Sequence, residues 1–142
     1  MVLAQYFNFI RFGKQGYAYL MELMKKNADT LAERIVEIGP FKLVGEGEQL
    51  PLVAFRLAEE QPYDEFDVAA ELAAKRGWMV PAYHLPPDAD QVKLMRALVK
   101  LTLSHSLVEK LADDLVEACE VLAKKGGADS SARKRVHTGT GY

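Results

Sequence analysis

Arg76-Gly77-Trp78-Met79-Val80-Pro81-Ala82-Tyr83-His84-Leu85-Pro86-Pro87 is the stretch on which the fold turns. Before it, Asp64 to Lys75 reads as a helix, with Asp64 as N-cap, Asp67 three residues on and Gly77 past the end. After Gly77 the pattern changes to an extended one: Trp78 to Tyr83 predicts a strand, Pro86-Pro87 a turn, and Val92 to Leu101 a further strand. In that last run Arg96 shares a face with Val92, Leu94 and Leu98 by the period of two. Burying a guanidinium there is costly unless an anion meets it. A carboxylate is the natural partner, because the planar fork binds it with two hydrogen bonds. The chain thus offers a carboxylate site, filled either by one of its own acids or by a ligand.

Working outward, Leu3 to Ile38 predicts one long helix or two nearly collinear ones. Leu3, Ile10, Tyr17, Met24, Leu31 and Ile38 recur every seven residues, with Tyr6, Leu20 and Ile35 on the same side. Gly13 and Gly16 are candidate bends, and Gly39-Pro40 stops the helix. At 1.5 Å per residue the segment would run roughly 50 Å, longer than a small domain is wide. Its first half therefore has no obvious partner within the chain. Phe41 to Gly45 and Leu50 to Leu57 predict two strands around the turn-like Gly45-Glu46-Gly47-Glu48. Ser104 or Ser106 opens a last helix with Val108, Leu111, Leu115, Cys119 and Leu122 as its core stripe. Lys124 and Lys125 suit its C-terminal dipole, and Gly126-Gly127 ends it.

The order α-β-β-α-β-β-α predicts an α+β fold: a mostly antiparallel four-stranded sheet with helices on one face, preceded by a long N-terminal helix. Residues 1–125 form the domain, including the long helix 3–38, and residues 126–142 read as a flexible polar tail.

Composition narrows the function. With 142 residues and 49% hydrophobic side chains, the chain supports one domain with a real core. A net charge of -2 gives no global pull toward nucleic acid or anionic lipid, and Arg133-Lys134-Arg135 is too short a basic patch to change that. Cys119 stands alone, which rules out an intrachain disulfide and suits a reducing compartment; it reads as a small core residue. No run of about 18 apolar residues predicts a membrane span. A cytoplasmic protein is expected. His84, His105 and His137 lie too far apart for a metal site, and no glycine-rich phosphate loop occurs. Ser104-His105-Ser106 reads as a helix start rather than a nucleophile with its base.

Three motifs in order carry a more specific likeness. Ala4-Gln5-Tyr6-Phe7-Asn8-Phe9-Ile10-Arg11-Phe12-Gly13-Lys14-Gln15-Gly16-Tyr17, then Gly77-Trp78 through Pro81-Ala82-Tyr83, then Met95-Arg96-Ala97-Leu98-Val99-Lys100 resemble the C-terminal part of glutamate decarboxylases. These are group II pyridoxal-phosphate enzymes of the aspartate-aminotransferase fold type. The likeness spans about residues 4 to 123 and implies the small domain of such an enzyme. It implies a substrate-binding role for Arg96, on the α-carboxylate of L-glutamate, which the family converts to 4-aminobutyrate and carbon dioxide. His137-Thr138 resembles an ending found in some bacterial members, where the histidine caps the cofactor site; here Gly139-Thr140-Gly141-Tyr142 extend beyond it.

The resemblance also implies what the chain does not supply. The cofactor lysine of the family follows a Ser-x-x-His-Lys segment, which does not occur here. The cofactor supplies the electron sink and the protein positions it. The 142 residues alone are therefore expected to hold no cofactor, contain no catalytic residue and be inactive. Expected partners are a large pyridoxal-phosphate-binding domain or homologous subunits, in a homo-oligomer. The alternative is a standalone non-catalytic remnant that self-associates or binds a full-length homologue. Leu101, Leu103 and His105 depart from the family's acidic, aromatic and arginine residues after the arginine strand. Plant members end in a calmodulin-binding tail with a tryptophan. The single tryptophan here, Trp78, lies in a predicted strand, so calmodulin binding is not expected.

Overall fold

A computed structural model describes residues 2–45 and 50–126. The elements run α1 (Val2–Ile38), β1 (Phe41–Leu43), β2 (Leu52–Leu57), α2 (Glu65–Arg76), β3 (Ala82–His84), a 3-10 turn (Pro87–Ala89), β4 (Lys93–Leu98) and α3 (His105–Gly126). The four strands form an antiparallel sheet in the order β1-β2-β4-β3. This is the expected α+β order, with β2 and β4 paired at the centre.

The period of two sorts the strand residues. Phe41, Val53, Phe55, Met95 and Ala97 turn to one face and are buried. Leu31 and Ile35 of α1, Val68 and Leu72 of α2, and Val108, Leu111 and Leu115 of α3 complete the same core. All three helices thus cover one face. The other face carries Lys42, Leu52, Ala54, Arg56, Tyr83, Leu94, Arg96 and Leu98. Those eight positions hold three cations and no acid.

α1 is two helical pieces. Gly13 sits at φ 56°, ψ -172°, a conformation that a side chain would resist, and the helix kinks there. Only the second piece joins the core: Asn27, Ala28, Leu31 and Ile35 are buried, and Asn27 donates to the Leu103 carbonyl at 2.9 Å. The first piece stands clear, with Leu3 83% and Ile10 66% exposed.

α2 has the expected cap. Asp64 accepts from the Phe66 and Asp67 amides, Asp67 accepts from the Asp64 amide, and Gly77 closes the helix in the left-handed region at φ 71°. Cys119 is buried, as its place in the α3 stripe predicts, and burial raises its thiol pKa. Gly126 is the last residue of α3. The tail assigned to residues 126–142 otherwise lies outside the described residues.

All four strands differ in bounds from expectation: Phe41 to Gly45 shortens to Phe41–Leu43, and Leu50 to Leu57 to Leu52–Leu57. The strand expected at Trp78 to Tyr83 is Ala82–His84, and the one expected at Val92 to Leu101 is Lys93–Leu98. Pro81 has no N–H to give to the ladder, although its carbonyl still accepts from the Arg96 backbone amide at 3.1 Å. Trp78 is drawn toward α3 instead, its indole bonded to Asp114.

Candidate functional site

Arg96 lies near the middle of β4, on the sheet face opposite the main core. The expectation that its guanidinium is buried among apolar side chains is wrong. Leu94 beside it is buried, but Arg96 itself is exposed. The period of two placed it correctly on a face, but that face is only partly covered: Leu94 is shielded while Arg96 and Leu98 are left exposed. The internal-acid alternative also fails among the described residues: no carboxylate lies within ion-pair distance of Arg96. Its contact is instead the Tyr83 ring on the adjacent strand, with the guanidinium carbon 5.5 Å from the ring centroid. That stacking holds a planar cation while leaving its N–H edge free to bind an anion.

Beside Arg96 opens a groove of about 880 Å³. Arg96 and Leu98 of β4, with Lys100 just beyond, supply one side. Trp78 to Pro81 supply another. Ala69, Ala70 and Ala73 of α2 contribute only methyl groups, which is why space remains there. The lining is apolar except for Arg96, Lys100 and the indole N–H, which points to Asp114. A carboxylate with an organic body fits this chemistry. Pyridoxal phosphate does not fit it unaided. The lining residues include no acid for a ring nitrogen and no hydroxyl for a phosphate.

Sequence reading singled out Arg96 but not Tyr83, Lys100 and Trp78, which the structure sets beside it. Lys100 had a signal, since Arg96, Leu98 and Lys100 alternate. Tyr83 had none, because the register that sets it opposite Leu94 is a tertiary fact. His137, the candidate cofactor-site cap, lies outside the described residues.

Fold and groove together define an α+β sheet domain with one cationic face left open. No family model matches the chain. Among curated proteins, the glutamate decarboxylase of Solanum lycopersicum is 39% identical over 114 residues, covering 80% of this chain and 22% of that protein. The "probable glutamate decarboxylase gamma" of Listeria monocytogenes is 34% identical over 119 residues, covering 82% of this chain and 25% of that protein. Among solved structures, the glutamate decarboxylase of Lactobacillus brevis superposes with a TM-score of 0.81 at 32% identity, covering 86% of this chain and 28% of that one. The chain is homologous to the C-terminal part of glutamate decarboxylases. It spans only about a quarter of the length of these relatives.

Proposed function

We propose that residues 1–125 act as the small domain of a pyridoxal-phosphate-dependent glutamate decarboxylase, followed by a tail at residues 126–142. In this reading Arg96 binds the α-carboxylate of L-glutamate. The observation that carries it is an exposed guanidinium, stacked on Tyr83 and without an acid partner among the described residues, at the edge of an apolar groove. Arg34 and Arg76 differ in being matched by carboxylates of this chain, Arg34 by Glu37 and Glu109 and Arg76 by Glu117. Two N–H donors on one carboxylate fix both its place and its plane, and orientation of this kind supplies much of a rate enhancement.

Among the described residues the groove lacks a cradle for the cofactor, so this reading has another part of the polypeptide, or another subunit, hold it. The exposed first piece of α1 suits that requirement, since it offers Val2, Leu3, Tyr6, Phe9 and Ile10 to a covering surface. That same observation favours a second reading, in which the domain is non-catalytic and docks on a homologous chain or on itself. We assign the protein to the cytoplasm on its lone buried thiol.

A chimera separates the two readings. Residues 4–123 replace the matching segment of the Lactobacillus brevis enzyme, and glutamate decarboxylation is measured with and without Arg96→Ala. Loss of a charged hydrogen-bonding partner costs on the order of 2–3 kcal/mol, so kcat/KM should fall about a hundredfold while the cofactor stays bound. An active chimera indifferent to Arg96→Ala would remove the substrate role.

A further inference from the structure

Trp78 ties the groove to α3. Its indole N–H donates to Asp114 Oδ2 at 2.7 Å. Asp114 is only 6% exposed and is also approached by Arg76 Nη1 at 3.6 Å and Lys110 Nζ at 3.5 Å. The two cations offset the cost of burying its charge, yet its shortest contact goes to the neutral indole. Trp78 opens the segment 78–81, which forms one wall of the groove, and the far end of that segment holds Arg96 through the Pro81 carbonyl at 3.1 Å. A continuous set of contacts therefore runs from α3 to the backbone of Arg96. For packing alone an apolar pair would serve without desolvating a carboxylate. What the hydrogen bond adds is direction, because it locks the rotation of the indole ring.

We infer that Asp114 is a positioning residue: acting through Trp78, it fixes the groove wall beside which Arg96 receives its anion. This rests on the carboxylate reading of the groove given above.

The test uses the whole 142-residue chain and L-glutamate as probe, with binding followed by chemical-shift titration. Asp114→Ala should weaken glutamate binding about tenfold, the factor set by one hydrogen bond. It should also raise the acrylamide quenching of Trp78, the chain's single tryptophan and half-buried in the parent, whose fluorescence reports the wall directly. Asp114→Asn should restore both, since its amide oxygen still accepts the indole proton although the charge is gone; a purely ionic, structural role would not be rescued. If Asp114→Ala fails to fold, Trp78→Phe carries the affinity measurement, because it keeps a ring and deletes only the donor. Parental affinity in Trp78→Phe, or unchanged affinity and quenching in Asp114→Ala, overturns the inference and leaves Asp114 a fold residue. A parent chain that does not bind glutamate, with Asp114→Ala still opening Trp78 to acrylamide, overturns the carboxylate reading while upholding the hold of Asp114 on the wall.

Discussion

Arg96 and Tyr83 sit on neighbouring strands with guanidinium carbon and ring centroid 5.5 Å apart, and the arginine meets no carboxylate among the described residues. The tyrosine limits where the cation can swing without neutralising it. An arginine so placed is committed to neither the core nor an internal ion pair, and its loss orphans nothing.

Stability should therefore be nearly indifferent to Arg96. Arg96→Ala and Arg96→Lys should each change the unfolding free energy of the chain by no more than about 0.5 kcal/mol, the range of surface substitutions away from buried features. Denaturant melts followed by circular dichroism measure this. A loss of several kcal/mol would mean that Arg96 holds the fold together.

Expressed by itself, the 142-residue chain should bind no pyridoxal phosphate through a lysine and release no carbon dioxide from glutamate. The groove's one lysine, Lys100, is accompanied by no cradle for the cofactor's phosphate or ring nitrogen. An absorption spectrum after incubation with the cofactor and gel filtration, alongside a carbon dioxide assay, checks both.

The same chain should associate in solution. Val2, Leu3, Tyr6, Phe9 and Ile10 are all more than half exposed along the first piece of α1, an apolar surface of the kind that drives association. Sedimentation at rising concentration should show dimers or larger species, and Leu3→Glu with Ile10→Glu should shift the population toward monomer. A parent chain that stays monomeric at high concentration would refute this.

Acid should loosen α2 through Asp64. Burial opposes ionisation of its carboxylate, but the hydrogen bond and charge of Lys93, with the Asp67 and Phe66 amides, outweigh that and lower its pKa. A carboxyl with a lowered folded-state pKa contributes stability above its unfolded value, about 3.9 for aspartate, and loses it as pH falls through the folded value. Asp64→Ala should cost about 1–2 kcal/mol near neutral pH, cap and ion pair together. The difference from the parent should shrink below about pH 4. Melts of both proteins across pH 2–7 test the sign.

Much of the architecture was legible in the chain because its signals are local. Asp64, Asp67 and Gly77 bracket α2 through bonds made within a few residues, so sequence spacing sufficed. Gly13 announced the kink because only glycine readily adopts φ 56°. The alternation in β4 and the seven-residue repeat in α1 assigned residues to faces by backbone geometry alone. Three motifs, read together, pointed to the decarboxylase family that the comparisons then matched.

Which face is covered is a different kind of question, and only the tertiary structure answered it. Arg96 shares its face with Leu94, so an apolar face seemed to demand a buried guanidinium. The core forms on the Phe55 and Met95 side instead, with residues of all three helices, and Arg96 is left exposed on the other. Trp78 likewise read as a strand residue until Asp114, 36 positions away, proved to hold its indole. Local periodicity fixes which side chains point together. Whether that side meets water, a helix or an acid depends on long-range packing, which no window of sequence contains.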